Sequence, residues 1–395
     1  MTPLRSGLSS NSVVTRLVDI RRRLSLKQEN RGVAALQANL DHWPQLAEVL
    51  TGLNPLIIQT QNSPIPLLGL PRIMLQQLTQ RQKFGWASIA EVVRQAKINT
   101  LVALDSPAEP LDQFGLFAPE ITQLLIGHGS LRRETLLRNY QFLATRHTAR
   151  RLLLWGRHDV ELVHSVFGSD IVCIPVGSLK NALYMRRRQK SPKLHEIVYV
   201  SKFAGRDRET SSSAHPDRPR VFSLLKSHLR RFCIENGIAI HIAMSPKEQG
   251  RLSSLHSEDE RRHYAEVFSG VPLTFTNPDE EFSTYSASDS ADVTIGIPHG
   301  SLTESFGRGN KVLMFGQSPE TGSHYGFPYE GPWIVFEPSY QEFASRLSQV
   351  RMTSQRQFAI EAESIRKVML ENADSDKAMI LIQEEIGNAV SRRPL

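Results

Sequence analysis

Val293-Thr294-Ile295-Gly296-Ile297-Pro298-His299-Gly300-Ser301-Leu302-Thr303-Glu304-Ser305-Phe306-Gly307-Arg308-Gly309-Asn310-Lys311-Val312-Leu313-Met314-Phe315 is the stretch whose reading decides the fold of this chain. Val293–Gly296 reads as a short buried strand, and the turn after it carries glycine and serine. A helix begins near Ser301, and Lys311–Phe315 is apolar again, a second strand. Strand, turn, helix and strand in such short succession predict a parallel sheet with crossover helices.

The same alternation continues on both sides. Upstream, Glu196–Val200 reads as a strand, residues 205–219 as a long polar loop, and Val221–Asn236 as an amphipathic helix stopped by Gly237. Ile238–Ala243 and Glu258–Phe268 follow as strand and helix. Downstream come Trp333–Phe336 as a strand and Gln341–Val350 and Gln355–Glu371 as closing helices. Before a basic linker at Lys180–Lys193 lies another such series. Its strands are Pro55–Gln59, Thr100–Leu104, Gln123–Ile126, Arg151–Gly156 and Ile171–Val176, with helices at Ser88–Ala96 and Asp159–Phe167. The expected organisation is a polar basic tail over 1–30, α/β units over 31–185 and 195–375, and a terminal helix or tail over 376–395. No repeat of fixed period links the two units.

Composition agrees with two soluble globular units: 395 residues, 40% hydrophobic and 22% charged. No apolar run of about 18 residues spans a bilayer, and no signal peptide opens the chain. Cys173 and Cys233 lack CxxC spacing and read as reduced structural thiols, which suggests the cytoplasm. The net charge of +7 favours anionic partners. It concentrates in Arg21-Arg22-Arg23 and in Arg186-Arg187-Arg188-Gln189-Lys190. These clusters read either as solvated charge or as peripheral contact with an anionic inner membrane. No aromatics are interleaved to stack on bases, so nucleic acid is not expected.

In open α/β sheets, ligands lie beyond the carboxyl ends of strands. Asp105 and Glu109 follow one strand, His128 the next, and Trp155-Gly156 and Gly177-Ser178 two more. Ser201-Lys202 and the Gly296–Ser301 turn do so in the second unit. Gly296, His299, Gly300, Ser301 and Leu302 frame a helix start whose amides and dipole suit a phosphate, with Ser301 as cap. Glu304, one turn in, suits ribose hydroxyls, or else completes a capping box with Ser301. The spacing is neither a dinucleotide fingerprint nor a P-loop. No DxD ends a strand and no His/Asp cluster has ligand spacing, so neither metal nor cofactor is expected. Asp289-Ser290-Ala291-Asp292 reads as surface.

Several landmarks occur in a familiar order: Leu101–Asp105, Ile126–Gly129, Leu154–Gly156, Pro175–Asn181, Ile197–Phe203, Tyr285 and Ser301–Leu313. Over residues 95–375 the chain resembles the "surface carbohydrate biosynthesis protein" glycosyltransferases of bacterial polysaccharide clusters, relatives in shape of the GT-B superfamily. That resemblance implies an α/β fold of two Rossmann-like domains facing across a cleft. It also implies a nucleotide-sugar donor on the second domain and a glycan or lipid-linked acceptor on the first. Transfer needs a base, for which Asp105 and then His128 are the choices; a cap before Pro107 and a turn histidine are the plainer readings. Lys202 and Arg206 suit the departing phosphate, or are surface charge. His215-Pro216 is similar to the His-Pro pair of bacterial sialic acid and Kdo transferases. A nucleotide-sugar 2-epimerase, a glycerol- or ribitol-phosphate transferase of the teichoic acid type, and a non-catalytic binding partner are the rivals.

Overall fold

The computed structural model describes residues 32–37, 43–53, 55–59, 93–94, 97–104, 118–127, 129–131, 133, 136–137, 140, 150–188, 192–203, 218–244, 253–316 and 327–391. Asp105, Glu109, His128, Arg206, His215 and the 1–30 tail lie outside these residues.

Two six-stranded sheets form, with parallel pairing throughout. The amino-terminal sheet runs β2-β1-β3-β4-β5-β6, from β1 (Val33–Gln37), β2 (Leu56–Gln59), β3 (Thr100–Leu104), β4 (Thr122–Ile126), β5 (Arg150–Leu154) and β6 (Val172–Pro175). The carboxy-terminal sheet runs β12-β11-β10-β7-β8-β9. Its strands are β7 (His195–Val200), β8 (Ile240–Ala243), β9 (Leu273–Phe275), β10 (Ala291–Gly296), β11 (Val312–Gly316) and β12 (Ile334–Phe336). β10 sits in the centre with Ile295 beside both Tyr199 and Leu313. Such strands are buried on both faces, which is why they read as unbroken apolar runs. The two-domain α/β expectation is met.

The helices among the described residues are α1 (Trp43–Val49), α2 (Arg157–Phe167), α3 (Leu179–Arg187), α4 (Arg218–Asn236), α5 (Ser253–Val267) and α6 (Ser283–Asp289). After them come α7 (Gly300–Gly307), α8 (Tyr340–Met352), α9 (Gln355–Glu361), α10 (Glu363–Met369) and α11 (Lys377–Ser391). Three expectations need correcting. The region read as a linker from Lys180 is helix α3, started by Ser178, whose side chain accepts the Asn181 N–H. Its terminal arginines look like linker charge but are paired. Arg187 bonds Glu48 of α1 and Glu281, and Arg188 bonds Asp289, so this cluster joins elements together. The helix read over Gln355–Glu371 breaks at Ala362 into α9 and α10.

The chain's end is helical, as one of the two expected forms, and its place in the fold is new. After α10 it crosses back, and α11 lies on the amino-terminal sheet. Ala378, Met379, Ile382, Ile386 and Ala389 are buried there with Val33, Val102, Leu124 and Leu153. Burying each large aliphatic side chain there contributes about 1.5–3 kcal/mol. The crossing is close. A Cβ on Gly156 would stand 2.2 Å from the Val368 carbonyl oxygen, and Gly177, at φ +103, would meet Glu371 O at 2.3 Å. Only glycine permits that approach. Cys173 and Cys233 are free, with burial pushing both thiols up to about 12.

Candidate functional site

The order of the carboxy-terminal sheet reverses between β7 and β10, which are neighbours although β8 and β9 intervene in sequence. A crevice for ligands opens at such a switch point. Ser201-Lys202 follows β7, and Ile297–Ser301 follows β10 into α7. The N-cap of α7 is His299, in extended backbone at φ −159, ψ 172, and its carbonyl accepts the Thr303 N–H at 2.9 Å. The amides of the first turn have no carbonyl one turn earlier to satisfy them, and the helix dipole points its positive end there. His299, Gly300 and Ser301 are half-buried, whereas Leu302 and Gly296 are buried in the lobe's core. Leu302 and Gly296 therefore contribute packing and backbone only.

Three expectations of this region are corrected. Ser301 lies within the helix, two places past the cap, and the alternative capping box with Glu304 does not form. Glu304 turns instead towards the other lobe. Ser201 is 5% exposed and faces inward: its hydroxyl donates to Glu260 and lies 2.9 Å from the Tyr264 hydroxyl, while the Phe203 N–H donates to it at 3.1 Å. Its oxygen is engaged within the lobe, and Lys202 beside it is exposed.

A polar seam joins the lobes along α3, α6 and α7. Glu304 is 2% exposed and accepts from the Ser178 hydroxyl of the amino-terminal lobe and from the Tyr285 hydroxyl of α6, each at 2.5 Å. Burial raises the Glu304 carboxyl above its ordinary value, offset by Lys180, the two hydroxyls and Arg308. The Lys180 ammonium stands 5.5 Å from the centre of the Tyr285 ring. Asp289, expected on the surface, is a buried hub. Arg308 reaches it at 2.9 Å, Asn310 at 2.6 Å, the Tyr184 hydroxyl at 2.8 Å and Arg188 at 2.8 Å. Burial pushes Asp289 up, but Arg308, Asn310, Arg188 and Tyr184 outweigh it and hold the carboxyl below its usual value. Arg308 also donates to the Asn181 side chain at 2.8 Å, and Asn181 donates to the Ala373 carbonyl at 2.8 Å. The guanidinium lies 5.1 Å and 4.9 Å from the rings of Tyr184 and Tyr285, so aromatic faces complete its surroundings.

The opposite wall comes from the ends of β4 and β5. Trp155 donates through Nε1 to the Gly127 carbonyl at 3.2 Å, and its ring lies 3.4 Å from where a Cβ of Gly300 would stand. The start of α7 therefore rests directly on the amino-terminal lobe. Behind Trp155, Asp159 is fully buried and accepts the Leu131 N–H at 2.8 Å. Burial pushes its carboxyl up to about 7, against hydrogen bonds from the backbone of Leu131, Trp155 and Gly156. His158 bridges to the Tyr329 hydroxyl of the other lobe at 3.2 Å.

The structure thus brings His299, Gly300, Ser301 and Glu304 together with Trp155 and Ser178. Asp105 and His128 follow β3 and β4 directly in sequence and lie outside the described residues. Ser178, Lys180, Tyr285 and Arg308 belong to the site although the motif reading named no role for them. A serine after the strand-ending Val176-Gly177 is a helix-cap signal that marks where α3 begins.

The fold has known counterparts. Staphylococcus aureus MnaA, in a structure with UDP, superposes with a TM-score of 0.54 at 12% identity, covering 92% of this chain and 98% of that one. The UDP-GlcNAc 2-epimerase of Neisseria meningitidis, bound to UDP-GlcNAc, gives 0.50 at 12% identity, covering 90% and 99%. The wall teichoic acid polymerase TagF gives 0.50 at 12% identity, covering 96% and 97%. The chain shares the two-domain α/β fold of these proteins. Residues 153–332 match the model of a family described as "putative O-antigen biosynthesis protein", in line with the resemblance to surface-carbohydrate enzymes read from the motifs. No individual curated sequence matches. Among the described residues no helix of this chain is long and apolar enough to cross a membrane.

Proposed function

We propose that this chain is a glycosyltransferase that moves a sugar from a nucleotide-activated donor onto a surface polysaccharide or lipid-linked glycan, without a metal ion. The observation that carries the reading is the half-buried start of α7, at the switch point of one lobe and packed on the strand ends of the other. The first-turn amides and the helix dipole there favour a donor's phosphates. The family model over 153–332 and the structural neighbours, one bound to UDP, one to UDP-GlcNAc and one a teichoic acid polymerase, support this ligand class.

The acceptor belongs beside the amino-terminal strand ends, where Asp105 is the proposed base and His128 the next choice. Lys202, exposed after β7, is the proposed cation for the leaving phosphate. The reaction runs in the cytoplasm in this reading, on an acceptor at the inner membrane face. The likeness to the Neisseria meningitidis UDP-GlcNAc 2-epimerase favours one rival on the same scaffold: a nucleotide-sugar 2-epimerase alters the donor sugar with no acceptor.

A thermal-shift screen with UDP, GDP, CDP and CMP, followed by product analysis, tests the proposal. Transfer predicts free nucleotide together with a glycosylated acceptor; an altered nucleotide-sugar without acceptor supports the epimerase instead. Asp105→Ala is expected to keep nucleotide binding and lower turnover by at least about 100-fold. Wild-type turnover in that variant overturns the assignment of the base.

A further inference from the structure

In the junction of the lobes, nearly every polar group is committed. The oxygens of Glu304 take the hydroxyls of Ser178 and Tyr285, and Arg308 is held by Asp289, Asn181 and two aromatic rings. Lys180 differs. It lies in the first turn of α3, two residues after Ser178, so the short Ser178–Glu304 bond fixes its stem against α7. Its side chain is half-buried where Ser178, Tyr285 and Glu304 are closed off. With the described residues the ammonium makes an aromatic contact to Tyr285 and a Coulombic one to Glu304, without a hydrogen bond or ion pair.

A half-desolvated ammonium with unfilled donors, carried by one lobe and leaning on the helix start of the other, is arranged to receive an anion from the crevice. Helical side chains lean back towards the amino terminus, so Glu304 and the cation beside it sit over the first turn of α7. We propose that Lys180 is the cation through which the amino-terminal lobe grips the anionic part of a nucleoside diphosphate in this crevice. The role rests on the proposed use of a nucleotide-activated donor and adds to it. One ligand group would then be held from both lobes at once, by amides of α7 and by the ammonium of α3. A charge-assisted bond of this kind changes affinity by about 10–100-fold.

The probes are UDP, GDP and CDP, each paired with its own nucleoside, titrated calorimetrically into the full chain and into Lys180→Met and Lys180→Arg. The wild type is expected to bind one diphosphate at least about tenfold more tightly than its nucleoside. Lys180→Met should lose about tenfold or more for the diphosphate and nothing for the nucleoside, and Lys180→Arg should keep most of the affinity. If Lys180→Met binds the diphosphate as the wild type does, or loses both ligands by the same factor, Lys180 is only a counter-ion of Glu304 and the role falls. If the wild type binds none of the three diphosphates, the donor reading falls first, and this role with it.

Discussion

The seam and the start of α7 both consist of polar residues at strand ends, yet they are built differently. Along the seam, Asp289, Arg308, Asn181, Ser178, Tyr285 and Glu304 bond one another and are buried, with Arg308 Nη2 left without a hydrogen-bond partner. At the start of α7, His299, Gly300 and Ser301 stay half-buried, with first-turn amides unpaired within the helix. Position at a strand end therefore does not by itself mark a ligand residue. Bonding across the junction does the sorting: polar groups paired between α3, α6 and α7 hold the lobes, and the half-buried start of α7 is where a ligand is proposed.

The most severe way to break this comparison is Arg308→Ala. Removing one partner of a buried ion pair costs at most about 3–5 kcal/mol here, because Arg188, Asn310 and Tyr184 still hold the buried Asp289. Urea unfolding should show that loss, and a loss under about 1 kcal/mol would mean the seam does not hold the lobes. Glu304→Ala comes next. It leaves the Ser178 and Tyr285 hydroxyls without their acceptor, a cost of about 1–3 kcal/mol, while nucleotide affinity should change less than about threefold. Stability unchanged with nucleotide binding lost would move Glu304 to the ligand side. The pH dependence has a definite sign. The folded-state carboxyl is raised, so its contribution to stability is complete below the ordinary carboxylate value and is lost as pH rises through the raised one. Glu304→Gln should flatten that part of the stability profile. The smallest effect belongs to Ser301→Ala. Since Ser301 caps nothing, stability should move by less than about 0.5 kcal/mol, and a loss near 1 kcal/mol would restore it as a cap.

Much of the fold could be read before any coordinates, because parallel strands buried on both faces are short apolar runs with little ambiguity. β3, β4, β7, β10 and β11 lie where the pattern puts them. β1 and β9 escaped because Val33–Gln37 is small and unmarked and Leu273–Phe275 is only three residues long. α3 escaped because Arg186, Arg187 and Arg188 look solvated until Glu48, Glu281 and Asp289 arrive from distant parts of the chain. The site was half legible for the same reason. Local spacing puts Ser301 and Glu304 in one capping box, and only tertiary structure supplies Ser178 and Tyr285 as the stronger partners of Glu304. Asp289 read as surface because its four partners are spread from Tyr184 to Asn310.

Helix α11 has a consequence for how the molecule can be made and divided. Ile382 and Ile386 seal a sheet whose first strand was translated some 350 residues earlier, so the leading lobe stays incomplete on the ribosome while the trailing one already has all its strands. A gene fragment cut at the 188–194 connection would express an open apolar face instead of a free-standing half. Grafting α11 onto that fragment is the shortest route to making it soluble.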